Sequence, residues 1–294
     1  MHRLILHNDD LRDAAEACTS PGQVGLMNGW GVFSTLRVVD GVLFAFERHL
    51  ARMSRDAELL HVPFPKHPEW LHGRLLNLVE ANRAFDATLR VCVVRNQGGP
   101  FEGPLLNRTF DVVAFTTELT RWPASVSLAL KRDARHARNE FSGVKVMSWA
   151  FNLTWNEEAR ARGFDEVVLL NERGEISECT SANLFAVAGD RVWTPPLDSG
   201  CLPGVTRAIL LEEVRVAGVA IAEKPLLPSD LETVDGVFMT SSTRDVLPIR
   251  NIEGLEIRQG GRLVMEALGV ALQDRRNEYV QQAENRAVKQ FTNR

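Results

Sequence analysis

The stretch GVFSTLRVVDGVLFAF, residues 31–46, reads as two strands on either side of Asp40-Gly41. An Asp-Gly pair suits the positive φ of a two-residue hairpin turn, so the chain is expected to fold back on itself here. The same grammar recurs later. FDEVVLL and EISECT flank NERG (171–174), and NLFAVA and RVWTPP flank Gly189-Asp190. Strands joined so tightly are antiparallel neighbours, and the sheets should be antiparallel or mixed. A doubly wound nucleotide-binding fold is disfavoured, and the chain carries neither GxGxxG nor a P-loop.

Helical periodicity fills the intervals. Residues 47–60 (ERHLARMSRDAELL) place Leu50, Met53, Ala57 and Leu60 on one face. A second helix is expected at about 68–84, and a third at 148–162, with Arg160 and Arg162 in its last turn and Gly163 as its stop. GVTRAILLEEVRVAG reads as a helix opened by glycine, and a long amphipathic helix (about 262–285) closes the chain. Further strands are expected at residues 3–7, in ATLRVCVV, FDVVAFTTEL and ASVSLALKR, and around the polar loop of DGVFMTSSTRDVLPI. NQGGPFEGP (96–104) separates the first two of the longer strands. The expectation is an α/β (α+β) chain of two domains meeting near RWPA (121–124): a smaller N-terminal one over 1–120 and a larger C-terminal one over 121–294 that carries Lys145.

Composition narrows the function classes. The net charge is −4, with no basic run and no zinc-finger spacing, which argues against a nucleic-acid partner. Cys18, Cys92, Cys179 and Cys201 are scattered and form no CxxC, as expected of reduced thiols rather than a disulfide frame or metal site. The opening MHRLILHNDDLRD acquires acids too early for a signal peptide, and no apolar run approaches membrane-spanning length. A cytoplasmic protein with no membrane partner is expected.

Five stretches could carry chemistry. Lysines are scarce: Lys66, Lys131, Lys145, Lys224 and Lys289 are the only ones. Lys145 sits in GVKVMSWAFN among Val144, Val146, Met147, Trp149 and Phe151. Either its stem snorkels with the ammonium in water, or its amine is kept partly unprotonated to attack a carbonyl. In ISECTSANLF, strand alternation puts Glu178 on the face of Ile176 and Thr180. A solvated edge glutamate and a buried carboxylate facing a protonated heterocyclic nitrogen are equally open on that evidence. LPGVTR opens a helix whose free N–H groups suit a phosphate, although such helix starts are common. MTSSTRDVLP crowds Thr240, Ser241, Ser242 and Thr243 into one loop, the composition of an ordinary turn. HLARM places Arg52 on a helix, where plain solvation is the bland reading. Together these residues form the set that pyridoxal phosphate needs: a lysine for its aldehyde, an acid for its ring nitrogen, and N–H groups, hydroxyls and a cation for its phosphate.

In that order and spacing, the motifs GVFSTLRVVDG, HLARM, GVKVMSWAFN, GFDEVVLLNERGEISECTSANLF, LPGVTR and SSTRDVLP resemble the class IV (fold-type IV) pyridoxal-phosphate aminotransferases over about residues 20–250. That family includes branched-chain and D-amino-acid aminotransferases and 4-amino-4-deoxychorismate lyases. The resemblance implies a two-domain D-amino-acid-aminotransferase-like fold with pyridoxal 5'-phosphate in the interdomain cleft, and a homodimer. It implies that Lys145 is the Schiff-base lysine and that Glu178 is the acid on the ring nitrogen. Arg52, Val205, Thr206 and a hydroxyl from Ser242 or Thr243, with Ser242 favoured, would hold the phosphate, and Leu202 would pack on the ring. Arg90 matches a position that contacts a substrate carboxylate in some members.

The departures bear on substrate. Trp149 stands four residues after the lysine, where many members have tyrosine. Phe33-Ser34 replaces Phe-Glu, and Ser34-Thr35 is similar to the lyase branch. Phe33, Ser34, Thr35 and Trp149 are therefore expected to line the substrate side, with Arg244 as a further anion contact. The first expectation is amino transfer of branched-chain type from an amino-acid donor to a 2-oxo acid. The alternatives are aminodeoxychorismate cleavage to pyruvate and 4-aminobenzoate, and a non-catalytic scaffold, which would have no need for Lys145, Glu178 and Arg52 together.

Overall fold

The computed structural model describes residues 1–17, 20, 22–99 and 107–292. Cys18, residues 100–104 of NQGGPFEGP and the side chain of Lys289 lie outside the described residues. The chain groups into two compact units. One comprises Met1–Thr120, Val144–Trp149 and Glu278–Arg294; the other comprises Arg121–Gly143 and Ala150–Asn277. The stretch that carries Lys145 therefore groups with the first unit.

The first unit is built on a six-stranded sheet of β1 (Leu4–His7), β2 (Asp10–Asp13), β3 (Gly31–Val39), β4 (Val42–Leu43), β5 (Ala87–Arg95) and β6 (Phe110–Glu118). The order is β2-β1-β6-β5-β3-β4, and its pairs are antiparallel. The hairpin expected at Asp40-Gly41 forms: Val39 pairs with Val42, and the two turn residues have φ of 48° and 78°. Its second strand is shorter than expected. Ala45, with φ 53°, turns the chain at once into α2 (Phe46–Leu59).

Helices α1 (Val24–Asn28), α2 and α3 (Pro68–Ala81) belong to this unit. Met53 and Ala57 of α2 and Leu71, Leu75 and Leu78 of α3 pack with Leu36, Val38 and Leu89 of the sheet in one core. Burying such side chains is the main favourable term in folding. The buried face of α2 also carries His49, Arg52 and Asp56. Their spacing of three and four keeps them in one stripe, and each must be hydrogen-bonded to be tolerated there.

The second unit holds an eight-stranded sheet: β7 (Val126–Arg135), β8 (Glu166–Asn171), β9 (Ile176–Cys179), β10 (Asn183–Ala188), β11 (Arg191–Thr194), β12 (Ala220–Glu223), β13 (Gly236–Thr240) and β14 (Leu247–Ile252). The order is β12-β11-β10-β13-β14-β7-β8-β9. The β11–β12, β14–β7 and β7–β8 pairs are parallel and the others antiparallel, so this sheet is mixed. The interior strand β8 is buried at every position, as expected of a strand covered on both faces. Phe185 and Phe238 oppose each other in the β10–β13 register and stack at 4.9 Å between ring centroids. Helices α4 (Ala150–Ala161), α5 (Val205–Glu212) and α6 (Pro228–Thr233) connect these strands, and α7 (Arg262–Thr292) follows β14. Among the described residues no helix is long and apolar enough to cross a membrane, and no cluster of three potential metal ligands occurs.

Candidate active site

In the first unit, the backbone of residues 145–147 lies antiparallel along the start of β3. The Phe33 N–H donates to the Lys145 carbonyl at 3.1 Å, the Met147 N–H donates to Gly31 O at 2.9 Å, and Val32 bridges Val146. The Lys145 side chain is half-buried, and its Nζ stands 4.6 Å from the centroid of the Phe33 ring. Arg90 lies across the β3–β5 ladder opposite Thr35. Its guanidinium stacks on the same Phe33 ring at 4.0 Å and lies 5.6 Å from Trp149, which meets Phe33 edge-on. Phe33, Thr35, Arg90, Lys145 and Trp149 are thus brought together. Burial lowers the pKa of Arg90, so a carboxylate beside it would be favoured.

Ser34 points the other way. It was expected to line the substrate side, but alternation along β3 turns it onto α2, where it is fully buried. Arg52 Nη2 donates to its Oγ at 2.6 Å, and the hydroxyl lies 2.8 Å from His49 Nδ1. Arginine can only donate, so the hydroxyl accepts from Arg52, and the Ser34–His49 contact ties the imidazole into the same buried cluster. A neutral histidine agrees with its surroundings: burial, reinforced by Arg52 and Lys145, pushes its pKa well below the usual value. Arg52 is itself almost completely buried. Desolvation outweighs the nearby Asp56 carboxylate and brings its pKa down to about 10, so an anion placed against it would be strongly favoured.

In the second unit, Glu178 on β9 is mostly buried. Its Oε1 accepts from Arg135 Nε at 2.9 Å and its Oε2 from the Leu202 N–H at 3.0 Å. Arg135, at the end of β7, was not anticipated as its partner. Leu202 leads into α5, whose first residues are Val205 and Thr206. No side chain caps this helix at Gly204, so its first N–H groups are without a side-chain acceptor there. A Cβ at Gly204 would fall 2.0 Å from Asn183 Oδ1, so a side chain there would have to displace the amide that donates to Leu202 O. After β13 comes the hydroxyl loop. Thr243 O accepts from the Trp122 indole N–H at 3.1 Å, and Thr240 Oγ1 is buried with no hydrogen-bond partner.

Arg244 was expected to contact a substrate anion, but its charge is engaged within the protein. It stacks on Trp122 at 4.1 Å, donates to Ser181 O, Ser181 Oγ and Ser241 Oγ, and lies 3.4 Å from Glu166. Glu166 is fully buried and also accepts from the hydroxyls of Thr180 and Ser181.

Residues 31–252 match the family described as amino-transferase class IV. The chain belongs to the class IV aminotransferases. It is 26% identical to a D-alanine aminotransferase of Bacillus licheniformis, over 87% of this chain and 90% of that one. It is also similar to the structure of the T.th. branched-chain amino acid aminotransferase complexed with N-(5'-phosphopyridoxyl)-L-glutamate. That match has a TM-score of 0.83 and 25% identity, covering 95% and 97% of the two chains. A Legionella pneumophila chain provisionally named 4-amino-4-deoxychorismate lyase shares the fold, with a TM-score of 0.79 and 21% identity over 89% and 97% of the chains.

As a class IV aminotransferase, the protein is a pyridoxal-phosphate-dependent enzyme. Each unit, taken by itself, offers donor types that suit that cofactor. The first offers an amine and a desolvated guanidinium. The second offers a carboxylate paired with a cation, an uncapped helix start and a loop beside an unpartnered buried hydroxyl. These are the donor types that an aldehyde, a pyridinium nitrogen and a phosphate require.

Proposed function

We propose that this class IV aminotransferase transfers the amino group of an amino acid bearing an apolar side chain, of branched-chain type, to a 2-oxo acid. The observation that carries the reading is that Lys145 Nζ and the Arg90 guanidinium stand over one ring, that of Phe33, at 4.6 and 4.0 Å from its centroid. An amino acid has its amine and its carboxylate on one carbon, so a base and an anion-binding group side by side are what its Cα chemistry requires. Phe33 and Trp149 supply apolar surface for a side chain.

Pyridoxal phosphate supplies the carbonyl that receives the amino group and the ring that accepts electrons from the substrate. Lys145 Nζ would hold the cofactor at that carbonyl and would move the proton at the substrate Cα. Arg90 holds the carboxylate. Glu178, which accepts from Arg135 Nε, would hold the ring nitrogen. Arg52, the N–H groups at Val205 and Thr206, and Ser242 would hold the phosphate, and Leu202 would pack on the ring.

The lyase reading is the weaker one because it rested on the Ser34-Thr35 pair, and Ser34 is buried against Arg52. The test is a panel of leucine, alanine (both enantiomers) and glutamate with 2-oxo acids, run beside aminodeoxychorismate. Turnover of the amino acids supports the proposal. Release of 4-aminobenzoate at roughly 1 s⁻¹ or faster with no amino-acid turnover overturns it in favour of the lyase. A homodimer is part of the proposal, supported by the exposed Phe151 and Leu153 on α4. A monomeric mass by light scattering would remove that part.

A further inference from the structure

Asp56 follows Arg52 by one helical turn on α2, and its carboxylate is fully buried. Its Oδ1 accepts from both Nε and Nη2 of Arg55. Its Oδ2 accepts the main-chain N–H of Lys145 at 3.0 Å. A buried carboxylate is tolerated only with donors around it, and one of those donors is the peptide group of the reactive lysine, 89 residues along the chain. The Lys145 carbonyl is meanwhile taken by the Phe33 N–H. The Lys145 peptide is thus gripped from two directions, by strand β3 and by helix α2. A lysine side chain has four rotatable carbons, so its amine is located only as well as its backbone. In active sites a shift of about 1 Å costs on the order of 100-fold in rate.

We propose that Asp56 is a positioning residue of the active site: its carboxylate fixes the Lys145 backbone to the same helix that carries Arg52, setting the reach of the lysine amine relative to the phosphate-binding arginine. The inference rests on the reading of Lys145 as the cofactor-bearing lysine. A second observation agrees with it. The Asp56 charge partly offsets the desolvation of Arg52, so one carboxylate serves both groups.

The test uses the full chain, comparing wild type with Asp56→Leu and Asp56→Asn. The amide of asparagine keeps an acceptor for the Lys145 N–H, and leucine does not. The first readout is amide hydrogen exchange of the cofactor-free protein in the peptide containing Lys145. The second is the rate of covalent capture of pyridoxal, which lacks the phosphate and so bypasses Arg52. Leucine should speed exchange and slow capture by roughly tenfold or more, the size expected for a buried N–H left without an acceptor. Asparagine should stay within about threefold of wild type on both. Unchanged exchange and capture in Asp56→Leu would overturn the proposal. So would an Asp56→Asn protein as impaired as the leucine variant, because charge and not the hydrogen bond would then be the cause. Asp56→Ala replaces the leucine variant if that one does not fold. Borohydride reduction and peptide mapping of wild type keep the two readings apart: a label on another lysine overturns the role of Lys145 itself.

Discussion

Arg135 Nε and Glu178 Oε1 form an ion pair at 2.9 Å, and the Leu202 N–H closes on the second oxygen of the same carboxylate. The acid proposed to face the ring nitrogen is therefore supplied with a fixed countercharge and is not left to find one in the cofactor alone. Glu178→Gln should lower the rate of amino transfer at saturating cofactor much more than it weakens cofactor binding. The check is the half-reaction rate with a good amino donor, set against the cofactor dissociation constant. Arg135→Met should cost about 3–5 kcal/mol in urea unfolding, because it strands a largely buried carboxylate.

Arg52→Ala should raise the dissociation constant of pyridoxal phosphate by roughly 10- to 150-fold and spare the half-reaction once the cofactor saturates. The loss is that of a charge-assisted hydrogen bond, about 1.5–3 kcal/mol. Ser242→Ala removes a neutral bond and should cost less, about 0.5–1.5 kcal/mol. Equilibrium dialysis of the three proteins gives the ranking. If Thr243→Ala weakens binding and Ser242→Ala does not, the phosphate hydroxyl belongs to Thr243.

Arg90→Ala should raise KM for every carboxylate substrate while leaving cofactor affinity within about twofold of wild type, since the guanidinium stacks on Phe33 and lies near Trp149, both placed on the substrate side. Steady-state kinetics with leucine and glutamate as donors would show it. A rise for glutamate alone would assign Arg90 to a second carboxylate.

Arg244→Ala should act on stability and not on substrate choice. The side chain is tied to Glu166, Ser181, Ser241 and Trp122, and its loss leaves a fully buried carboxylate without its cation. The pair is long and Glu166 keeps two hydroxyl donors, so a loss of about 1–3 kcal/mol is expected by denaturant titration. The ratio of KM for dicarboxylate and monocarboxylate substrates should not move; a selective loss of glutamate would return Arg244 to the substrate.

Acid should weaken the fold through His49. Burial holds this histidine neutral with its pKa well below 6.5. Above about pH 7 both folded and unfolded chains carry it neutral, so it contributes no pH dependence. Below 6.5 the unfolded chain takes up a proton that the folded chain refuses, and stability falls as the pH drops toward the folded value. That loss is expected to develop as the pH falls from about 7.5 to 5.5. His49→Asn keeps an acceptor for Ser34 and cannot titrate. Its unfolding free energy should lose that share of the slope, while the smaller contribution of the half-buried His72 remains in both proteins.

The hairpins could be read from the chain because strand pairs announce themselves within a dozen residues, through Asp40-Gly41 and Gly189-Asp190. Four elements could not. The strand β2 is the polar DLRD and β12 lies at a sheet edge with mostly exposed residues, so neither shows a burial pattern. Helices α1 and α6, of five and six residues, are too short for a helical period to show. In the site, Lys145 and Glu178 stood out because a charge interrupts an apolar pattern. Asp56, His49 and Arg135 did not, since their meaning lies in partners 89, 15 and 43 residues away. Ser34 and Arg244 were legible as polar oddities, but which face they turned to depended on strand phase and on Glu166.

The antiparallel run of residues 145–147 along Gly31–Phe33 has a consequence for solubility. On that side of β3 the short strand β4 covers only Val38 and Val39. Without the lysine stretch, the first rungs of β3 would be an open sheet edge with unpaired N–H and C=O groups, a template for another chain. The segment that carries Lys145 therefore also covers backbone groups that would otherwise form an open sheet edge. Variants that loosen it should reveal themselves by aggregation on storage as well as by lost catalysis.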